Sequence, residues 1–275
     1  MQTEPILVVG ATGKTGARVV ARLEAKGVPV RRGSRHSDIP FDWDDASTWA
    51  PALTGVKKAY VTYFPDLAFP GAVEKLEALT DVAKQTGLEH FVLLSGRGEH
   101  FATMGEEIVR NSGLPFTIVR AAWFAQNFSE GYLRDPILGG VLPMPGGAIE
   151  EPIIDIDDIA DVVVAALTED GHLGERYEVT GPRLMTFEAM AGVLSATLGR
   201  HVQHVPISFD DFHANVAAAG DDFVADVFTQ IARETLDGRN AYVADGVERA
   251  LGRKPRDFTD FAQKAAAQGS WDVAA

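Results

Sequence analysis

The sequence predicts an α/β protein: a doubly wound parallel sheet followed by a smaller C-terminal α/β lobe. Three observations carry this expectation. In Glu4 to Gly16, EPILVVGATGKTG, the run Ile6-Leu7-Val8-Val9 is apolar on both faces, as a strand inside a parallel sheet must be, and it breaks at Gly10 into a glycine-spaced turn. A strand followed by a helix then recurs five times over the first half, which calls for parallel strands with right-handed crossovers. Finally, 275 residues can bury one large core and part of a second. The expected division is a sheet domain over 1–150, with 151–182 returning to it, and a lobe over 183–275.

Gly10, Gly13 and Gly16 stand three apart at the mouth of the first helix. The first permits a sharp turn, the second lets backbone N–H groups approach a pyrophosphate, and the third lets the helix lie against the sheet. The helix N-terminus then faces the phosphates with its partial positive charge. Val19, Val20 and Leu23 keep helical spacing until Gly27 ends the helix. The glycines, the preceding strand and the following helix together point to a Rossmann-type dinucleotide site.

Composition narrows the partners. A formal charge of −14, spread along the chain, argues against a nucleic-acid surface. There is no cysteine, so disulfides, thiolate nucleophiles and thiolate metal sites are excluded together. Neither a leader nor an apolar run of membrane-spanning length is evident, and a soluble cytoplasmic protein is expected.

The second strand, Val28 to Ser34, ends beside Arg35, where a nucleotide fold reads the adenosine ribose. A carboxylate there would favour NAD. This chain offers Arg31, Arg32 and Arg35 and no acid before Asp38, so NADP is preferred and NAD remains possible, with Arg31 and Arg32 open to a reading as strand-edge charges. Ile39 to Trp43 reads as a third strand; Asp42 could accept from an adenine amino group while Trp43 packs on the ring, and Asp44 and Asp45 read as helix caps. Lys57 to Tyr63 is the fourth strand, running into Tyr63 and Phe64, which are candidate ring walls or core residues. Pro70 to Gly87 is an amphipathic helix, Glu89 to Ser95 the fifth strand, Phe101 to Ser112 a helix and Pro115 to Arg120 the sixth strand.

Glu130 to Glu151 is rich in Gly and Pro and reads as a roof over the strand ends. Trp123, Phe124, Asn127, Phe128 and Met144 could line a flat apolar aromatic site, or pack as core. Asp155, Asp157 and Asp158 sit between a strand and a helix and read as residues that cap it and complement its dipole, and His201 and His204 fall on opposite faces of a strand, so no metal site is expected. Phe187 to Leu198, Phe209 to Leu236 and Asp257 to Gln268 are helical, VQHVPIS is a strand, and the tail Gly269 to Ala275 reads as loose.

GATGKTG at Gly10 to Gly16, GLPFTIVRAAWFAQN at Gly113 to Asn127, IIDIDDIADVVVAAL at Ile153 to Leu167 and YEVTGPRLMTFEAMAGVLSATLGR at Tyr177 to Arg200 resemble the NmrA-like branch of the atypical short-chain dehydrogenases, which includes NAD(P)H-dependent quinone reductases and redox sensors. The resemblance implies Gly10, Thr12, Gly13, Lys14, Thr15 and Gly16 around a pyrophosphate, Arg35 at a 2′-phosphate, Asp42 and Trp43 near adenine and Tyr63 and Phe64 nearer nicotinamide. Ser95 would stand where ordinary members of the superfamily carry a catalytic serine. Their tyrosine and lysine, on the helix after the fifth strand, are missing: that helix reads HFATMGEEIVR. Reduction of a simple ketone by a tyrosine acid is therefore not expected, whereas a quinone or polycyclic aromatic acceptor, whose reduced oxygen is weakly basic, is. Water or His100 could protonate it. The alternatives are a cofactor-sensing regulator without turnover and a helper reductase that primes a substrate for a partner oxygenase; a homodimer is also compatible.

Overall fold

The N-terminal apolar run lies inside a parallel sheet. In the computed structural model, which describes residues 4–219 and 221–272, every position of β1 (Ile6–Val9) is buried. Gly10 turns the chain out of the strand with φ 70°, and α1 (Lys14–Ala25) buries Val19, Val20 and Leu23. β2 (Val30–Gly33) returns parallel to β1.

The expected third strand at Ile39–Trp43 does not form. Phe41 N donates back to Ser34 O at 3.0 Å, Asp42 bridges Asp45 across a turn, and Asp45 caps a short 3₁₀ segment by accepting from Ser47 N. Pro40 cannot donate to a ladder and the acids favour turns. Phe41 and Trp49 anchor the turn in the core instead.

The chain continues through α2 (Trp49–Leu53), β3 (Lys58–Val61), α3 (Ala72–Gln85), β4 (His90–Gly96), α4 (His100–Asn111) and β5 (Phe116–Ala121). Then come α5 (Asn127–Glu130), α6 (Arg134–Leu138), β6 (Val141–Met144), β7 (Glu150–Glu151), α7 (Ile156–Thr168) and β8 (Arg176–Val179). The six-stranded sheet has the order β2-β1-β3-β4-β5-β8, with every neighbour parallel. Chain direction across the sheet reverses between β1 and β3, so their carboxyl ends diverge into the crevice where this architecture takes ligands. Apolar residues of α1 and α7 cover one face, and those of α2, α3 and α4 the other.

Beyond β8 lie β9 (Met185–Thr186), α8 (Phe187–Leu198), β10 (Gln203–Pro206), α9 (Phe209–Ala219), α10 (Asp222–Thr235), α11 (Gly246–Leu251) and α12 (Phe258–Ala267). Local chemistry sets several ends: the Thr186 side chain accepts from Ala189 N at the start of α8, Gly199 closes that helix at φ 62°, and Asp257 with Asp260 forms a capping box on α12. β10 pairs parallel with β6 and β7 antiparallel with β9. The insertion at 127–151 thus belongs to the second lobe, whose core holds Phe128, Leu142, Met144, Phe187, Phe212 and Phe258. In the opposite sense, α11 leaves that lobe and packs its Val247 into the sheet-side core with α7.

One expectation changes here. The tail is not loose up to residue 272: Trp271 is buried and its indole donates to Phe128 O at 2.9 Å, while residues 273–275 lie outside the described residues. Of the acids before α7, Asp155 is the cap, accepting from Asp157 N at 2.8 Å. Asp157 and Asp158 lie in the first turn of α7, where they complement its dipole, and they also hold cations. Asp157 takes Arg22 at 2.7 Å and the Lys264 ammonium; Asp158, fully buried, takes Arg253 at 2.7 Å and Arg256. Burial opposes ionisation of Asp157, yet Lys264 and Arg22 hold its carboxyl down at about 2.

Candidate active site

The site starts where β1 stops. Gly10 N donates to Gly33 O at 2.9 Å and Gly13 N to Gly10 O at 2.9 Å, closing a tight loop ahead of α1. A side chain at Gly16 would place its Cβ 2.1 Å from Gly10 O, so only glycine lets the helix start this close to the strand. Among the described residues no side chain caps α1, and its first turn holds no acid. Its orphan amides are free to meet an anion at the crevice. Thr12 and Gly13 are exposed there, whereas Thr15 is buried and accepts from the Tyr60 hydroxyl at 2.9 Å. Lys14 donates to Asn127 Oδ1 at 3.2 Å; burial, opposed by Glu130 and aided by Arg18, lowers its pKa.

The three arginines after β1 separate by their contacts. Arg31 is tied to Ala52 O at 2.8 Å and Thr54 O at 2.6 Å, and Arg32 pairs with Glu24 at 2.6 Å. Arg35 is exposed past the end of β2 with its guanidinium near Asp44. Trp43 donates to Thr62 O at 3.2 Å and lies 4.7 Å, centroid to centroid, from Tyr63, forming one aromatic wall beyond β1 and β3. Tyr63 thus stands with Trp43 in this wall. Asp42 accepts from Asp44 N at 3.0 Å and remains partly open, and Phe64 is 76% exposed.

At the end of β4 the buried Ser95 hydroxyl donates to Glu106 Oε1 at 2.7 Å. Glu106, fully buried, also takes Arg120 Nε at 2.8 Å, so this serine is engaged in a buried ion-pair network. Arg97 is 3% exposed and binds Glu178 at 2.6 Å, Asn240 O at 2.9 Å and Tyr242 O at 2.9 Å, pinning the 238–242 segment to the sheet. Next to it, the Glu99 carboxyl folds back over Gly96, where an added Cβ would lie 2.1 Å from Glu99 Oε1. Glu99 faces Asp66, which follows β3 and accepts from Ala68 N at 2.8 Å. Burial and then Asp66 push the Glu99 carboxyl well above the usual range; burial raises Asp66 as well. An open cavity of about 390 Å³ between α4 and the 239–242 segment is lined by Arg97, Gly98, Glu99, Thr103 and Arg120 among others, and His100 stands exposed at its edge.

The sequence model of the NAD(P)H-binding family matches residues 10–170, from the glycine loop through β2, β3, β4 and β5 to the end of α7. The chain belongs to the NAD(P)H-binding family. An uncharacterized oxidoreductase of Bacillus subtilis is 30% identical over 97% of this chain and 97% of its own. The NAD(P)H azoreductase of Xenophilus azovorans is 31% identical over 95% of this chain and 98% of its own. The NADPH-dependent quinone oxidoreductase QOR2 of Escherichia coli, solved with NADPH, shares the fold at a TM-score of 0.80 and 21% identity, covering 94% of this chain and 99% of its own. These findings agree with the resemblance that the four motifs carried.

In this family member the five expected acceptor-lining residues do not form one surface. Phe128 and Met144 are fully buried in the second lobe's core, and Phe128 packs 5.1 Å from Phe258. Both correct the expectation of an open wall: the insertion that bears Met144 supplies a core strand, and a core strand turns its large apolar side chains inward. Phe124 packs against the sheet-side core, whereas Trp123 joins the lobes by donating to Thr235 Oγ1 at 3.0 Å. Asn127 is beside the loop at Lys14. Sequence reasoning missed Asp66, Glu99 and Glu151. Both oxygens of Glu151 are buried without a partner among the described residues. The first two lie thirty-three positions apart and meet only because β3 and β4 are neighbours; the short spacing Gly96-x-Gly98-Glu99 was the one local signal available.

Proposed function

We propose that this chain is an NADPH-preferring reductase that delivers hydride to a quinone or a comparable planar conjugated aromatic acceptor. The observation that carries the reading is the uncapped, acid-free start of α1 behind a glycine loop too tight for any Cβ at residue 16. That cradle suits a pyrophosphate, and the residues around it suit the rest of a dinucleotide. Amides of the loop and of the first turn would hold the phosphates with Lys14, Arg35 would meet a 2′-phosphate, and Trp43 with Tyr63 would wall the adenine. When bound, the nicotinamide supplies the hydride.

The chain's own contribution is then position, exclusion of water and control of a proton. Ser95, held by Glu106, orients the strand end rather than acting on substrate. Trp123, at the junction of the lobes, would offer a flat acceptor an aromatic wall. A curated relative named as an azoreductase and a structural neighbour named as a quinone reductase both support an aromatic acceptor. Steady-state NADPH oxidation over a panel of quinones and azo compounds tests the proposal, with turnover expected on at least one class. Binding of NADPH without turnover on any member would overturn it in favour of a sensor.

A further inference from the structure

We propose that Glu99, which faces Asp66 at the carboxyl ends of β3 and β4, is the acid that protonates the reduced acceptor. This inference rests on the reductase reading. A reduced quinone oxygen needs a proton, and α4 offers neither tyrosine nor lysine. Several other polar side chains near the cavity are committed, while the His100 ring stands exposed to solvent at its edge. Ser95 and Arg120 are held by Glu106, Arg97 by Glu178, and Arg239 by Asp237. Tyr63 packs on Trp43 in the aromatic wall beyond β1 and β3. Glu99 Oε2 is buried and has no partner among the described residues, although the residue lines the open cavity.

The geometry is a built one. The absence of a Cβ at Gly96 makes room for the Glu99 carboxyl, and Ala68 N fixes the Asp66 carboxyl against it. Facing the pair are Glu106 from α4 and Glu234 from α10, with Arg97 on the same loop as Glu99. Two carboxyls side by side in a poorly hydrated place cannot both ionise easily, so together they retain one proton. Burial and Asp66 assign that proton mainly to Glu99.

An acceptor that has gained a hydride carries two new electrons and one hydrogen, and for a quinone it is the hydroquinone monoanion. The Glu99 O–H bond breaks and its proton passes to the phenolate oxygen, giving neutral hydroquinone. The Asp66–Glu99 pair is left with two negative charges and recovers one proton from water in the cavity.

Infrared difference spectroscopy on the full chain without cofactor, wild type against Glu99→Gln and Asp66→Asn, reads the proton directly. At neutral pH the wild type is expected to show a protonated-carboxyl stretch that Glu99→Gln removes and Asp66→Asn shifts or removes. In parallel, Glu99→Gln is expected to lower quinone turnover by about 100-fold or more and to flatten its pH profile. Absence of the band, or a Glu99→Gln enzyme with wild-type turnover and pH profile, overturns the assignment. A band present in a wild-type chain that binds NADPH but reduces no acceptor sinks the reductase reading, and the donor role with it.

Discussion

At the scale of single residues, Glu151 shows what an unpartnered buried charge does to stability. Its carboxyl is 1% exposed, and burial, opposed by Arg97 and reinforced by Asp237, pushes its pKa up to about 7. Because the folded pKa lies above the unfolded one, the folded state binds the extra proton. Stability is therefore lost as pH rises from about 4.5 to about 7 and stays lower above that. Glu151→Gln should raise unfolding free energy at pH 8 by up to about 3 kcal/mol and leave it nearly unchanged at pH 4.5, as denaturant titrations at the two pH values would show. Arg35 is the matching case for binding. A charge-assisted contact with phosphate contributes about 1.5–3 kcal/mol, so Arg35→Ala should weaken NADPH roughly 10- to 100-fold and NADH only a few-fold. Equal loss for both coenzymes in fluorescence titrations would remove the basis for NADP preference.

At the scale of elements, α7 is the tie between the parts of the molecule. Its N-terminal turn is fixed twice: Asp155 accepts from Asp157 N, and Gln126 donates to Asp155 at 2.7 Å while accepting from Ile156 N at 2.9 Å. Asp157, Asp158 and Asp161 then draw in Arg22 of α1, Arg253 and Arg256 after α11, and Lys264 of α12. Removing one member of a buried ion pair destabilises by about 3–5 kcal/mol. For Asp158→Ala we expect about 2–3 kcal/mol, because the partly exposed arginines keep Asp161 and solvent. Thermal unfolding monitored by circular dichroism would measure it. The helices over 187–198 and 257–268 were legible in sequence because their signals are local, and the structure adds the caps Thr186 and Asp257. The strand expected at 39–43 was misread, since its aromatic residues signalled burial correctly but could not say that a turn would bury them.

For the molecule as a whole, closure depends on the last described turn. Trp271 packs 6.3 Å from Phe261 and donates to Phe128 O, while Arg134 donates to Ser270 O at 2.8 Å. Trp271→Ala should cost about 3–5 kcal/mol through the cavity and the orphaned carbonyl. A midpoint unchanged in a urea titration would show the tail to be dispensable.

The glycine loop, the parallel sheet and the absence of a tyrosine–lysine pair on α4 could all be read from the linear chain. Each is set by residues within one or two turns of each other, where backbone sterics and apolar periodicity act directly. Which aromatics became core, which arginines became trapped in pairs, and the meeting of Asp66 with Glu99 were decided by the tertiary structure alone. Those outcomes depend on which strands become neighbours and how much water remains between them, and neither quantity is a property of any short stretch of sequence.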